Sequence, residues 1–179
     1  GIIYMKIFDC FMYFNEDLIL EIRLNELYKY VEKFIIIESN YTHSGEFKEY
    51  NFDIEKFNKF KDKIIYIKVK DKPKNYLEID KNLTLDEKKG KQILNALILE
   101  NFQRNEILKG LNEANDDDFI IVSDLDEIPN LNNVNLNNYK SKVIIFKQIF
   151  FHYRFNLYLK DFNWFGSKCC TKKLFKSPQ

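Results

Sequence analysis

The fold is decided by one stretch of this sequence, Phe119-Ile120-Ile121-Val122-Ser123-Asp124-Leu125-Asp126-Glu127-Ile128-Pro129. Its short apolar run is bounded by turn signals, which is typical of a buried parallel strand. Asp124 and Asp126 follow at the carboxyl end of that strand, where open α/β sheets bind their ligands. Two neighbouring carboxylates repel each other unless a cation neutralises them, and their oxygens suit Mg²⁺ or Mn²⁺ together with substrate phosphates. The stretch therefore predicts a metal–diphosphate site, although an acidic loop that caps the following helix would give the same pattern.

Strand and helix patterns alternate through the first two-thirds of the chain. Apolar runs predict strands at residues 4–11, 34–38, 64–69, 119–123 and 143–151, with a further strand at 153–159. Helical patterns run from an N-cap at Asn15 to about Tyr30, and then at residues 53–61 and 92–114. The charged segment 70–91 is interpreted as a mobile loop. This alternation predicts an α/β fold with a Rossmann-like, mainly parallel sheet covered by helices on both faces.

The predicted topology brings three loops to one rim of the sheet. They hold Asn15 and Glu16 after the first strand, residues 38–43 after the second, and residues 124–127 after the fourth. The chain contains no Gly-x-Gly-x-x-Gly and no Walker A pattern, which argues against a Rossmann dehydrogenase and a P-loop NTPase.

Length, charge and cysteine content narrow the class of protein. The 179 residues suit one domain spanning residues 1–179, and a net charge of +1 gives no support for nucleic-acid binding. No apolar run approaches the length of a membrane span, and the first residues lack the features of a signal peptide. Three cysteines make neither a disulfide framework nor a zinc spacing, so we expect a reducing, cytoplasmic compartment. The abrupt end after an apolar segment predicts a chain truncated at its carboxyl end.

Several short motifs stand in the order seen in glycosyltransferase family 17, the family of the bisecting β-1,4-N-acetylglucosaminyltransferase. They are Phe8-Asp9-Cys10-Phe11, Phe14-Asn15-Glu16, Leu20-Glu21-Ile22-Arg23-Leu24, Glu38-Ser39-Asn40, Thr42-His43-Ser44-Gly45, Gln103-Arg104 and Ser123-Asp124-Leu125-Asp126-Glu127-Ile128-Pro129. The chain resembles that family over residues 6–164. The resemblance implies a GT-A fold and a metal-dependent, inverting transfer of GlcNAc or a related hexose from a UDP-sugar to a glycan-type acceptor hydroxyl. Family members usually continue into a segment with a Gly-Trp-His core, which this chain lacks, so we expect it to bind donor but to transfer little sugar.

The resemblance also implies roles for individual residues. Asp124 and Asp126 look like the Asp-x-Asp motif that holds Mn²⁺ or Mg²⁺, with Asp124 also near the donor. The candidate donor contacts are Asn15, Glu16, Glu38, His43 and Arg104. Each has a structural alternative: helix capping for the first two, an ion pair for Glu38, a surface position for His43, and a pair with Glu100 for Arg104.

An inverting transferase needs a general base near the acceptor hydroxyl. Glu127 and Asp161 lie in the right part of the chain, but no spacing rule chooses between them. For Glu127, support of the metal site and a carboxylate at a helix start remain alternatives.

The end of the chain is rich in aromatic residues, namely Phe150, Phe151, Tyr153, Phe155, Tyr158, Phe162, Trp164 and Phe165. Three interpretations stay open: a hydrophobic core, a platform on which the acceptor sugar stacks, and a surface for self-association or a poorly ordered tail.

Two other functions fit an acidic motif after a strand. One is a nucleotide-sugar-binding or scaffolding domain with a defective active site. The other is a phosphohydrolase of the haloacid dehalogenase type, whose motif normally lies near the start of its domain and carries Thr or Val where this chain has Ile128.

Overall fold

A computed structural model describes residues 5–151 and 159–178, and these form one mixed α/β unit. The six strands are β1 Ile7–Met12, β2 Lys33–Ser39, β3 Ile64–Val69, β4 Phe119–Ser123, β5 Ile144–Gln148 and β6 Trp164–Thr171. The two α-helices are α1 Asp17–Leu27 and α2 Leu85–Asn105. Short 3₁₀ helices cover Ile54–Lys63, Glu106–Gly110 and Leu136–Tyr139. None of the described helices is long and apolar enough to cross a membrane.

The strands form one sheet in the order β3-β2-β1-β4-β6-β5. Strands β1 to β4 are mutually parallel, and β6 lies antiparallel between β4 and β5. The mainly parallel α/β sheet is therefore confirmed. The antiparallel insertion has one consequence for the site: the amino end of β6 lies at the same edge as the carboxyl ends of β1, β2, β4 and β5.

Alternating side chains of the central strands fill two hydrophobic cores, one on each face of the sheet. Phe34 and Ile36 of β2 pack on the face covered by α1, whereas Ile35 and Ile37 pack on the face covered by Ile107 and its neighbours. This two-residue period follows from strand geometry. Both faces are covered, as the continuous apolar runs predict.

The boundaries of both α-helices differ from the sequence prediction, and α1 ends at Leu27 rather than near Tyr30. Helix α1 begins after Glu16, and no side chain caps it, so the predicted N-cap at Asn15 is wrong. Helix α2 begins seven residues earlier than the predicted residue 92, because Thr84 and Glu87 form a reciprocal capping box. The predicted loop at 70–91 therefore ends at Thr84, and the predicted helix beyond Asn105 continues only as a 3₁₀ turn.

The last part of the sheet also differs from the prediction. The strand predicted at 153–159 falls almost wholly on residues 152–158, which lie outside the described residues. The sheet also contains β6 at Trp164–Thr171, which the sequence pattern did not predict. Its alternation of small, polar and apolar residues is weak, and its place is fixed by pairing with β4 and β5.

Two glycines give opposite expectations for the same substitution. A Cβ at Gly110 would lie 2.4 Å from Cγ2 of Ile35, a rigid β-branched side chain in the core, whereas nothing lies within 4 Å at Gly90. We predict that Gly110→Ala destabilises the fold by about 1–3 kcal/mol through overpacking. Gly90→Ala, inside exposed helix α2, should stabilise it by about 0.5–1 kcal/mol. Chemical denaturation of both variants measures the difference, and equal effects would contradict the packing described for Gly110.

Candidate active site

A cavity of about 1070 Å³ opens at the carboxyl edge of the sheet. The five neighbouring strands β2, β1, β4, β6 and β5 each contribute to it through a strand end or an adjoining loop. The lining residues are Met12, Tyr13, Phe14, Glu16, Ile19, Ile22, Ser39, Tyr41, His43, Lys48, Glu100, Gln103, Asp124, Leu125, Asp126, Glu127, Ile128, Asn130, Lys147, Gln148, Ile149, Phe150, Phe151 and Trp164. Strands β1 and β4 are neighbours in the sheet, but the chain after β1 continues to β2 on one side, and the chain after β4 continues to β5 on the other. The cavity therefore lies at the topological switch point, where open α/β sheets bind ligands.

A fully buried ion pair lies directly beneath this cavity. Arg23 of helix α1 donates from Nε to Asp9 Oδ2 at 2.8 Å and from Nη2 to Asp9 Oδ1 at 2.7 Å. Both side chains have no exposed surface. The guanidinium also lies over the Phe11 ring, 4.8 Å from its centroid. Such a two-bond geometry is the arrangement that best offsets the cost of removing both charges from water.

The remaining nitrogen of Arg23 holds residues 124–127, which we call the acidic loop. Its Nη1 donates to the backbone carbonyls of Asp124 at 3.1 Å, Leu125 at 3.1 Å and Glu127 at 2.9 Å. These bonds require the chain to leave strand geometry immediately after β4. The turn presents Asp124 and Asp126 to the cavity while Leu125 packs into the core.

Asp9 and Arg23 were not recognised as site residues from the sequence. The signal was present, because each places a charge at a position that should be buried. Asp9 interrupts the apolar strand β1, and Arg23 lies on the buried face of α1 with Leu20, Leu24 and Leu27. Opposite charges at two such positions indicate a buried pair, since an isolated buried charge is too costly.

Glu127 is fixed by strand β6. Its Oε1 accepts a hydrogen bond from Trp164 Nε1 at 2.8 Å, and its Oε2 accepts one from the Asp124 amide at 3.1 Å. Its backbone carbonyl also accepts from Ser167 Oγ at 2.7 Å. Gly166 allows this approach, because a Cβ there would lie 2.8 Å from the Glu127 carboxyl carbon. Glu127 is thus an oriented carboxylate on the cavity wall, whereas Asp161 lies in the exposed turn before β6 and does not line the cavity.

The carboxylates of Asp124 and Asp126 are exposed to the cavity. Asp124 Oδ1 accepts a hydrogen bond from Arg104 Nη2 at 3.3 Å, and the same nitrogen contacts Glu100 Oε1 at 2.9 Å. Arg104 therefore makes the predicted intrahelical pair and also reaches the acidic loop.

A metal ion would need ligands beyond the protein at this place. Within residues 5–151 and 159–178, no group of three or more His, Cys, Asp and Glu side chains could hold one. Asp124 and Asp126 supply two hard oxygen donors, which suit Mg²⁺ or Mn²⁺ when water and phosphate oxygens complete the shell. The donor chemistry fits a cation that is shared with a phosphorylated ligand.

The cavity wall after β1 and β2 carries two more predicted residues. Glu16 lines the cavity, and its Oε2 accepts from the amides of Phe14 at 3.0 Å and Asn15 at 2.9 Å. Asn15 itself is exposed and does not line the cavity. His43 lines the cavity from a tight turn in which Gly45 adopts a φ of 80°.

Glu38 lies outside the cavity lining and has no exposed side-chain surface. Its carboxylate accepts four hydrogen bonds: from Lys48 Nζ at 2.6 Å, the amides of Asn51 at 2.7 Å and Phe52 at 3.1 Å, and Tyr66 Oη at 2.8 Å. Burial and the bond to this carboxylate raise the pKa of Tyr66, so its hydroxyl stays a donor. The structure thus places Glu38 in an internal ion pair, which fixes Lys48 on the cavity wall.

A comparison with protein families gives one finding. The family model described as Glycosyltransferase family 17 matches residues 3–173, almost the whole chain. No curated protein and no solved structure matches the chain.

The buried pair makes a testable prediction for stability. Arg23→Lys keeps the charge but cannot make the two bonds to Asp9 and the bonds to the acidic loop together. We expect a loss of about 3–5 kcal/mol in the free energy of unfolding, as when a buried pair is broken. Lys56→Ala removes the exposed pair with Asp17 and should cost far less. Urea denaturation of both variants checks this, and similar losses would contradict the role given to Arg23.

Proposed function

Because this chain belongs to glycosyltransferase family 17, we propose that it transfers GlcNAc or a related hexose from a UDP-sugar to a hydroxyl of a glycan-type acceptor. The observation that carries the proposal is the acidic loop, which Arg23 holds at the switch point of the sheet with two carboxylates facing a large cavity. On this proposal the architecture is a GT-A type domain, and the transfer inverts the anomeric carbon as the family resemblance implies.

We place the nucleotide of the donor at the ends of β1 and β2. Tyr13, Phe14 and Glu16 line this part of the cavity, with His43 beyond them after β2. The exposed ring of Phe14 offers flat apolar surface for a base, and Glu16 offers a carboxylate beside it. The diphosphate then lies toward the acidic loop.

During transfer, negative charge increases on the diphosphate that leaves the sugar, so a positive group is needed beside it. Asp124 and Asp126 would hold Mn²⁺ or Mg²⁺ there, and the cation would neutralise the leaving diphosphate. Arg104 lies next to Asp124 and supplies a second positive group from helix α2. Glu38 contributes indirectly, because its ion pair holds Lys48 at the cavity wall.

Of the two candidate bases, only Glu127 lines the cavity. Both of its carboxylate oxygens accept hydrogen bonds from the protein, one from Trp164 and one from the Asp124 amide. These bonds favour a role in orienting the acidic loop and the indole ring over free proton transfer. We therefore assign Glu127 to support of the site and leave the base unassigned.

Turnover of sugar nucleotides tests the proposed class of reaction directly. With Mn²⁺ present, the protein should release UDP from UDP-GlcNAc or a related UDP-hexose at a low rate, and a suitable acceptor should raise that rate. UDP binding without any turnover would favour the binding or scaffolding alternative. Hydrolysis of phosphate monoesters without turnover of any sugar nucleotide would favour the phosphohydrolase.

The metal assignment makes a prediction for two matched variants. Asp126→Asn should lower the affinity for UDP in the presence of Mn²⁺ by on the order of tenfold or more, because phosphate and carboxylate share the cation. Asp117→Asn makes the same charge change in the exposed turn before β4, at the opposite end of the strand, and should leave the affinity unaltered. Calorimetry with and without Mn²⁺ measures both. An unchanged affinity in Asp126→Asn would remove Asp126 from the site.

A further inference from the structure

Three aromatic side chains form a cluster beside the acidic loop, and we call it the aromatic wall: Phe150, Phe162 and Trp164. The ring centroids of Phe150 and Phe162 are 5.0 Å apart, and those of Phe150 and Trp164 are 5.6 Å apart. Phe162 and Trp164 are nearly parallel, with 20° between their planes. Phe150 and Trp164 line the cavity.

This wall does not belong to either hydrophobic core of the described chain. Trp164 is 38% exposed and Phe162 is 48% exposed. The indole is also held in one orientation, because its Nε1 donates to Glu127 Oε1. A fixed, half-exposed aromatic surface in a cavity is typical of a site that binds a ligand with an apolar face.

The polar groups around the wall restrict the kind of ligand. Glu127 presents a carboxylate at the edge of the indole, and Lys147 and Gln148 line the cavity from strand β5. A purely apolar ligand would bury these groups without partners, which is costly. A pyranose ring has an apolar C–H face that stacks on an aromatic ring and hydroxyl groups at its edge that pair with carboxylate, amide and ammonium groups.

The strand order separates this wall from the proposed nucleotide position. The groups placed at the nucleotide lie at the ends of β1 and β2, the acidic loop follows β4, and the wall lies on the β6 and β5 side. We propose that the aromatic wall binds the acceptor, by stacking the pyranose ring that receives the sugar against Trp164 and Phe150, the two rings of the wall that line the cavity. This inference rests on the proposed function, since it names the acceptor position of the same cavity.

The chain offers a direct optical test, because Trp164 is its one tryptophan. Tryptophan emission is titrated with methyl β-glucoside and methyl N-acetyl-β-glucosaminide, and with sorbitol as a polyol that has hydroxyls but no ring. We expect a saturable change in emission with a ring sugar and protection from acrylamide quenching, but no saturable change with sorbitol.

Two phenylalanine-to-leucine variants, one inside the cavity and one outside it, sharpen the test. Phe150→Leu removes a ring of the wall that lines the cavity and should weaken sugar binding by about three- to tenfold. Phe165→Leu makes the same change at a residue that is 60% exposed and does not line the cavity, and should bind sugar as the unaltered protein does.

Three outcomes would overturn the inference. One is a protein that binds UDP with Mn²⁺ but whose emission responds to neither ring sugar. Another is equal binding in the two phenylalanine variants. The third is a signal that assigns the wall to another occupant. Competition between UDP and the sugar would mean that the wall holds the donor, and emission that follows protein concentration alone would mean that it holds a second copy of the chain. Failure of UDP to bind would instead count against the proposed function, and the sugar titration still tests the wall by itself.

Discussion

Arg23 connects three parts of the molecule through one buried guanidinium. Its Nε and Nη2 bind Asp9 of strand β1, its Nη1 binds the carbonyls of the acidic loop, and its own backbone belongs to helix α1. All three guanidinium nitrogens have fixed acceptors, so the charge is compensated without water. Breaking any one set of bonds would leave a buried charge or buried carbonyls without partners. The path of the chain after β4 is therefore fixed, and the position of Asp124 and Asp126 depends on it.

The antiparallel strand β6 supplies the other half of the site. By entering the sheet between β4 and β5 it brings its amino end to the edge where the parallel strands finish. Trp164, Gly166 and Ser167 then meet Glu127, through an indole hydrogen bond, a close approach and a hydroxyl hydrogen bond. The acidic loop is consequently held from two sides, by Arg23 beneath it and by β6 beside it. On the proposed function, the donor would lie on the β1 side of this loop and the acceptor on the β6 side.

How far the sequence predicts this structure depends on the kind of signal. Strands β3 and β4 occur at the predicted residues, because each is an apolar run bounded by turn residues. The acidic loop lies at the strand end as predicted, and Glu16, His43 and both aspartates line the cavity. The Asp9–Arg23 pair was missed although each residue places a charge at a buried position, because the two charges are far apart in sequence and only the fold brings them together. Strand β6 was missed because its place depends on pairing with β4 and β5, which no local pattern encodes. The start of helix α2 could have been found, since Thr84 and Glu87 have the spacing of a capping box.

We propose that the buried pair positions Asp124 and Asp126, which would hold the cation that the donor diphosphate shares. A double-mutant cycle on UDP affinity in the presence of Mn²⁺ tests it most directly, with Arg23→Lys, Asp126→Asn and the double variant measured at a temperature where all remain folded. We predict that Arg23→Lys weakens UDP binding although its side chain never reaches the cavity, and that it adds little once Asp126 is Asn. Losses that simply add, or unchanged affinity in folded Arg23→Lys, would contradict the account.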